Sequence, residues 1–222
     1  MTPKHQIQPF ASDSELVSAE VNHLHIRLQR LDTERRLRQL ECDAEVGEED
    51  HHPHQPKVRD LRGIVHELKT REEKIHAHLQ ERIHAHRRDA GAVQLGLQKL
   101  CDQFQLDGDD RIVIVALVVA ALSQRWSDAL VPGGFCGNPS ADDIVTAVLG
   151  AHSVETILAG RARFRPGSRL RQAGVIVEPY RGASHAGVLP DSMVVLSTRA
   201  FSIIFSDPDA LDEVPTDDEQ YQ

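Results

Sequence analysis

The sequence IVIVALVVAAL at residues Ile112–Leu122 decides how this chain folds. The run is eleven residues long, whereas a helix that crosses a bilayer needs roughly 20 apolar residues. The segment DGDD at residues 107–110 precedes the run and is typical of a turn followed by a helix cap. This cap and the length of the run favour a buried helix over residues 111–123, although its β-branched content leaves a buried strand open. We therefore expect a globular domain to fold around this element.

The composition describes an acidic protein with an aliphatic core. The 222 residues carry a formal net charge of −9, and they are 40% hydrophobic but only 4% aromatic. This length accommodates one core with an appendage or two small domains. Non-specific binding to nucleic acid depends on clustered Lys and Arg, so the net charge disfavours it.

The cysteines and the N-terminus bear on the cellular compartment. Cys42, Cys101 and Cys136 are widely separated, and an odd, scattered set argues against a disulfide framework. The N-terminal sequence MTPKHQIQPF lacks the apolar core of a signal peptide. These features predict a cytoplasmic protein that does not interact with a membrane.

Two apolar stripes predict a pair of long helices. The first stripe begins at Val17 and the second at Leu61, and a Pro- and Gly-marked breaker at residues 47–56 separates them. The pattern predicts a coiled-coil-like, antiparallel helical hairpin over residues 13–91, preceded by a disordered N-terminus at residues 1–12. The stripes contain Val17, Val21, Leu24, Leu28, Leu31, Leu61, Val65, Leu68, Ile75, Leu79 and Ile83.

Thirteen histidines raise the question of a metal site. His76 and His78 point about 200° apart on a helix, so this pair does not grip one ion. His84 and His86 have the same spacing. The sequence HHPH at residues 51–54 lacks the Cys or acidic partners of a recognisable site. We predict neither a metal nor another cofactor.

The second half of the chain has the element order of a winged-helix-like domain. Amphipathic and capped segments predict helices, and two later segments, Gly174–Tyr180 and Met193–Leu196, predict the strands of a β-hairpin. The fold class is therefore mostly α with a small β-hairpin (α+β), with a winged-helix-like domain at residues 93–206 and a disordered acidic tail at residues 207–222. The predicted helices are Val93–Leu106, Arg111–Ser123, Ala141–Leu149 and Ser153–Gly160, and Thr198–Phe205 is predicted as a last short helix or a turn.

Four segments in this half resemble, in their order, the N-terminal region of bacterial AAA-type ATPases. In that family a helical segment and a variant winged-helix domain precede the ATPase core. The resemblance covers residues 93–209 and implies an accessory, partner-recruiting part of such an ATPase. The segments are LGLQKLCDQFQLDGDDRIVIVALVVAAL (Leu95–Leu122), NPSADDIVTAVLG (Asn138–Gly150), FRPGSRLRQAGVI (Phe164–Ile176) and LSTRAFSIIFSDPD (Leu196–Asp209).

No catalytic constellation accompanies the resemblance. An ATPase core needs a phosphate-binding loop that ends in Gly-Lys-Ser/Thr, and this sequence contains no Gly-Lys pair. The segment Gly182–Ala186 (GASHA) partly imitates a nucleophile elbow, but no histidine follows His185. We therefore predict that the chain is not an enzyme and interpret residues 182–186 as the tip of a wing.

An arginine cluster is the strongest sign of an interaction. It is suited to DNA phosphates, to an acidic protein surface or to the acidic tail of this chain, and a solvated face without a partner stays open. Asp142 and Asp143 begin the presumed recognition helix Ala141–Leu149 and disfavour DNA. The candidate partner-binding residues are Arg161, Arg163, Arg165, Arg169, Arg171 and Arg181.

These patterns together predict a non-catalytic protein-interaction or assembly module. It binds a protein partner or a second copy through the helical hairpin, and an AAA ATPase core is one candidate partner. The alternative is a winged-helix DNA-binding regulator that dimerises through its hairpin.

Overall fold

A computed structural model describes residues 7–46, 58–89, 91–123, 139–177 and 193–205. It confirms a mostly helical fold with a small antiparallel β-hairpin. The elements are α1 (Asp13–Val46), α2 (Val58–Arg88), α3 (Gly96–Gln103), α4 (Gly108–Leu122), α5 (Ala141–Asp143), a π-helical segment (Ile144–Val148), α6 (Val154–Ala162), α7 (Arg169–Gln172), β1 (Ile176–Val177), β2 (Val195–Leu196) and α8 (Thr198–Phe205).

Helix α4 forms the centre of the core, as the apolar run predicted. The Asp107 carboxylate accepts a hydrogen bond from the Asp110 amide at 2.9 Å, and the Asp110 side chain accepts one from the Asp107 amide at 3.2 Å. This reciprocal cap satisfies amides that would otherwise lack partners at the start of the helix. All seven residues of Val113–Val119 are buried, so the helix is covered on every side.

Within the described ranges, none of the helices is both long and apolar enough to cross a membrane.

Helices α1 and α2 form the predicted antiparallel hairpin. Glu15 near the start of α1 pairs with Arg82 near the end of α2, and Glu41 near the end of α1 pairs with Arg62 near the start of α2. Helix α1 also packs against α4 and the π-helical segment. Its buried Leu16 therefore belongs to the same hydrophobic core as α4. The start of α1 and the end of α2 thus pack within the same core as the rest of the domain.

The N-terminal segment differs from the expectation of disorder at residues 1–12. Phe10 is only 2% exposed and belongs to the core, and the Arg82 guanidinium lies 4.0 Å from the centre of its ring. Burial of an aromatic ring beneath a cation stabilises this position. Of that segment, residues 1–6 lie outside the described residues, as do the breaker at residues 47–56 and the predicted acidic tail at residues 207–222.

A third stretch of chain that sequence did not indicate lies beside the two-stranded sheet. Strands β1 and β2 are antiparallel, with Ile176 opposite Leu196. Ser140 forms an isolated antiparallel bridge with Met193, and the Val194 amide donates to the Pro139 carbonyl at 3.0 Å. The segment just before α5 therefore lines up beside the hairpin. Residues 178–192, which include the predicted wing tip, lie outside the described residues.

Candidate docking surface

Helix α6 follows the π-helical segment after a tight turn. Gly150 has φ +71°, a left-handed conformation that glycine adopts without a steric penalty. Ser153 then caps α6, and its hydroxyl accepts a hydrogen bond from the Thr156 amide at 3.2 Å. In this helix-turn-helix, α5 and the π-helical segment form the first helix and α6 forms the second. In DNA-binding proteins of this design the second helix is the one that enters the major groove.

The structure corrects the assignment of the recognition helix. The segment Ala141–Leu149 was presumed to fill that role, but Ile144, Val145 and Val148 are fully buried in it. By the order of the two helices, α6 occupies the second position of the helix-turn-helix. The sequence did contain the signal, since Gly150 followed by the capping Ser153 marks a turn between two helices.

The outer face of α6 is apolar. Val154 is 77% exposed and Leu158, one turn further on, is 49% exposed. Ala159 and Ala162 are exposed beside them, and Glu155 is the charged residue on this side. We call these five residues the α6 face. The side chains that most often donate hydrogen bonds to base edges are those of Arg, Lys, Asn and Gln, and none of the five residues is of these types.

The inner side of α6 is fixed to the preceding helix. At Gly160 a Cβ would lie 2.7 Å from Val145 Cγ1, so the two helices approach closely at this point. Arg161 donates from Nε and Nη2 to the two carboxylate oxygens of Asp142, at 2.8 and 2.5 Å. A bidentate pair of this kind holds an arginine in one orientation. Arg161 therefore contributes to packing within the domain.

Arg163 ties the end of α6 to the beginning of α4. Its Nη1 lies 2.7 Å from both Asp107 Oδ1 and Asp110 Oδ1, and its Nη2 lies 3.0 Å from Asp109 Oδ2. Burial alone would raise the pKa of Asp107. The Asp110 amide and the Arg163 guanidinium outweigh that effect and lower this pKa. The three aspartates thus neutralise Arg163.

Of the remaining arginines, the structure describes Arg165, Arg169 and Arg171. Arg165 is exposed. Arg169 is also exposed, and its Nη1 donates to the Gln105 carbonyl at 2.7 Å. Arg171 Nε donates to the Phe164 carbonyl at 3.2 Å. Arg181 lies outside the described residues, as do Cys136 and the segment 182–186. Four of the six predicted arginines therefore donate hydrogen bonds to other groups of the same domain.

Comparison with known families agrees with this topology. A family model described as a variant winged helix domain matches residues 1–215. The chain belongs to this family. No curated protein and no solved structure matches it. The match includes the α1–α2 hairpin as well as the helix-turn-helix and the β-hairpin, in keeping with the core that they share.

Two histidines of the winged helix domain meet across the hairpin, a contact that sequence reasoning missed. The rings of His23 on α1 and His76 on α2 have centroids 5.1 Å apart. Within the described residues, no three or more His, Cys, Asp or Glu side chains are grouped to hold a metal ion. Burial, followed by the charge of His76, lowers the pKa of His23 from 6.5 to about 4. Glu72 opposes this shift, and Arg27 adds to it.

This buried histidine predicts a loss of stability in mild acid. Between pH 6.5 and about 4 the unfolded chain binds a proton at His23 that the folded chain does not. The free energy of unfolding is therefore expected to fall as the pH drops through this window, with a slope from this residue of up to about 1.4 kcal/mol per pH unit. Urea denaturation at a series of pH values measures the slope. His23→Gln is expected to flatten it, whereas His78→Gln, at an exposed position on α2, is expected to leave it unchanged. Equal slopes for both variants would contradict the assignment to His23.

Proposed function

We propose that this winged helix domain is a non-catalytic module that binds a protein partner through the α6 face. The observation that carries the proposal is the exposure of Val154 and Leu158 at the position where helix-turn-helix proteins that bind DNA place their reading side chains. Apolar residues clustered on an exposed helix face are typical of protein docking sites. Recruitment or assembly, without chemistry of its own, is the role that this surface supports.

The energetics of the α6 face suit an apolar partner. Complete burial of Val154 and Leu158 would contribute roughly 1–2 kcal/mol each. The small side chains of Ala159 and Ala162 let a partner helix or strand approach closely. Arg165 and Arg169 are exposed in the segment that follows α6, and they suit the polar rim of such an interface.

The partner that we propose is an AAA-type ATPase core, joined to this domain or acting in trans. The support is the order of the four resembling segments between Leu95 and Asp209, together with the variant winged helix family to which the chain belongs. In this arrangement the domain recruits a substrate or an assembly partner, and the ATPase supplies the chemistry.

The hairpin offers a second protein surface, for the same partner or for a second copy of the chain. Ile64 on α2 is 45% exposed and lies in the half of the hairpin that is remote from the shared core. It therefore serves as the rival position to the α6 face in a binding test, because its exposure equals that of Leu158 to within a few per cent.

Substitution of the α6 face is expected to weaken partner capture strongly without loss of folding. Leu158→Glu places a charge in the centre of the interface and is expected to weaken binding by about tenfold or more. Quantitative pull-down from the source organism, with the complete chain as bait, compares Leu158→Glu, Val154→Glu and Ile64→Glu. Loss of one specific protein with the first two variants, but not with Ile64→Glu, supports the α6 face. Loss with Ile64→Glu alone would assign docking to the hairpin and contradict the proposal.

DNA binding is the second candidate function, because the winged helix family and the exposed Arg165 and Arg169 favour it. Fluorescence anisotropy with a labelled duplex at two salt concentrations separates the two functions. A steep dependence on salt that disappears in Arg165→Gln/Arg169→Gln would establish phosphate contacts and favour the regulator.

A further inference from the structure

Helix α1 contacts the turn before α6 at two successive points. Arg27 Nε donates to the Val148 carbonyl at 2.9 Å. One turn further along α1, Leu31 packs on Gly150 so closely that a Cβ at Gly150 would lie 2.5 Å from Leu31 Cδ2. The hairpin therefore supports both the end of the π-helical segment and the turn that leads into α6.

The Val148 carbonyl needs such a partner. It belongs to the last turn of a helix, where carbonyls have no amide ahead of them to accept from. The neighbouring hydrogen bonds already span longer intervals than in an α-helix, since the Leu149 amide donates to Ile144 and the Ala151 amide donates to Val145, both at 3.1 Å. π-Helical segments are uncommon and frequently occur at functional sites. This junction is thus a place where a change of hydrogen-bonding register would move α6.

Helix α2 reaches the same arginine through Glu72. This carboxylate is buried and lies 3.4 Å from Arg27 Nη1 and 2.5 Å from Arg30 Nε. Arg30 also pairs with Glu34 on its own helix at 2.7 Å. A buried carboxylate is costly unless cations remain beside it, so Glu72 fixes both arginines. Of these two arginines, Arg27 is the one that donates to the helix-turn-helix, at the Val148 carbonyl.

We propose that the α1–α2 hairpin controls the α6 face through Arg27: separation of the two long helices at Glu72 releases Arg27 from Val148 and loosens the turn Leu149–Ser153. A protein that binds the hairpin would thereby change the affinity of the α6 face, which is a regulatory coupling in the ordinary thermodynamic sense. The biological role of this coupling rests on the proposed function of the α6 face. The contacts that produce the coupling do not depend on that function.

Amide hydrogen exchange of the complete chain tests the coupling without any partner. Arg27→Gln and Glu72→Gln are both expected to speed exchange at Leu149–Ser153 by about tenfold, since each removes a charge-assisted contact from the pathway. The matched control is Arg30→Gln, which removes the same charge beside Glu72 but has no contact with Val148. It is expected to speed exchange in α2 and to leave Leu149–Ser153 within about twofold of the wild type.

The core residues Val113–Val119 report global opening, and exchange at the turn is measured relative to them. If Arg27→Gln speeds exchange at Leu149–Ser153 and Glu72→Gln does not, α2 has no influence on the turn before α6. That result would overturn the proposal. Equal effects of Arg27→Gln and Arg30→Gln would also overturn it. If Arg27→Gln does not fold, Arg27→Lys keeps the charge near Glu72 while it removes the Nε donor, and the same comparison applies. Because no partner is present, a negative result here leaves the docking proposal to its own pull-down test.

Discussion

Replacement of Glu20 by glutamine is expected to lower the free energy of unfolding by about 3–5 kcal/mol, because it leaves a buried guanidinium without its counter-charge. Glu20 on α1 is 3% exposed and pairs with Arg111 Nε on α4. Arg111 Nη1 also donates to Gln98 Oε1 on α3 at 2.9 Å. This network joins three helices, so its loss weakens the attachment of the hairpin to the core. Urea denaturation followed by circular dichroism measures the change.

Within the part of the chain that the structure describes, no neighbouring group replaces the negative charge that Arg111 loses in Glu20→Gln. Its Nη2 is buried and has no hydrogen-bond partner among the described residues. The pKa of the adjacent Cys101 thiol is raised to about 11, mainly by burial, so this thiol does not supply a counter-ion at neutral pH.

The matched control for Glu20→Gln is Arg87→Gln. Arg87 pairs with Asp102 at 2.5 Å, but both side chains are about half exposed. An exposed pair contributes at most about 1 kcal/mol. If Glu20→Gln costs no more than Arg87→Gln, the attachment of α1 to the core is not electrostatic in origin.

Gly96→Ala is the second substitution with a large expected effect. A Cβ at Gly96 would lie 1.8 Å from the Ile203 carbonyl oxygen and 2.7 Å from its carbonyl carbon. These are backbone atoms of α8, which do not move aside as a flexible side chain would. We expect a loss of about 3 kcal/mol or more in the free energy of unfolding, measured by the same denaturation.

Gly63→Ala provides the opposite expectation within the same molecule. Gly63 lies in α2, and no atom comes within 4 Å of a Cβ at that position. Alanine is the better helix former, so the variant is expected to gain about 0.5–1 kcal/mol. A stabilised Gly96→Ala variant would show that α3 and α8 do not meet as closely as described.

The sequence predicted those elements that local signals define. Helix α4 combines an apolar run with an aspartate cap, and both features act within a few residues of each other. The hairpin and the strands around Ile176 and Val195 were recognisable for the same reason. The π-helical segment at Ile144–Val148 was not, because no local signal marks it, and its contact with Arg27 comes from a residue more than a hundred positions away along the chain.

The arginine cluster shows the limit of reasoning from residue types. Six arginines near one another in sequence indicated a basic surface, yet Arg161 and Arg163 each pair with aspartates from other elements. Such pairs depend on the tertiary fold and leave no local pattern. The sequence VETILAGRA contains few large apolar residues, so it does not predict the α6 face. Which side of the helix is exposed depends on the tertiary contact of its inner side, at Gly160, with Val145.

The assignment of the α6 face to protein docking is tested most directly by photo-crosslinking from position 158 in cells of the source organism. A crosslinking amino acid at this position is compared with one at Glu73, an exposed position on α2. We predict an adduct from position 158 that protease removes, that nuclease leaves intact and that Val154→Glu abolishes. An adduct that contains nucleic acid, or an identical pattern from both positions, would contradict the account.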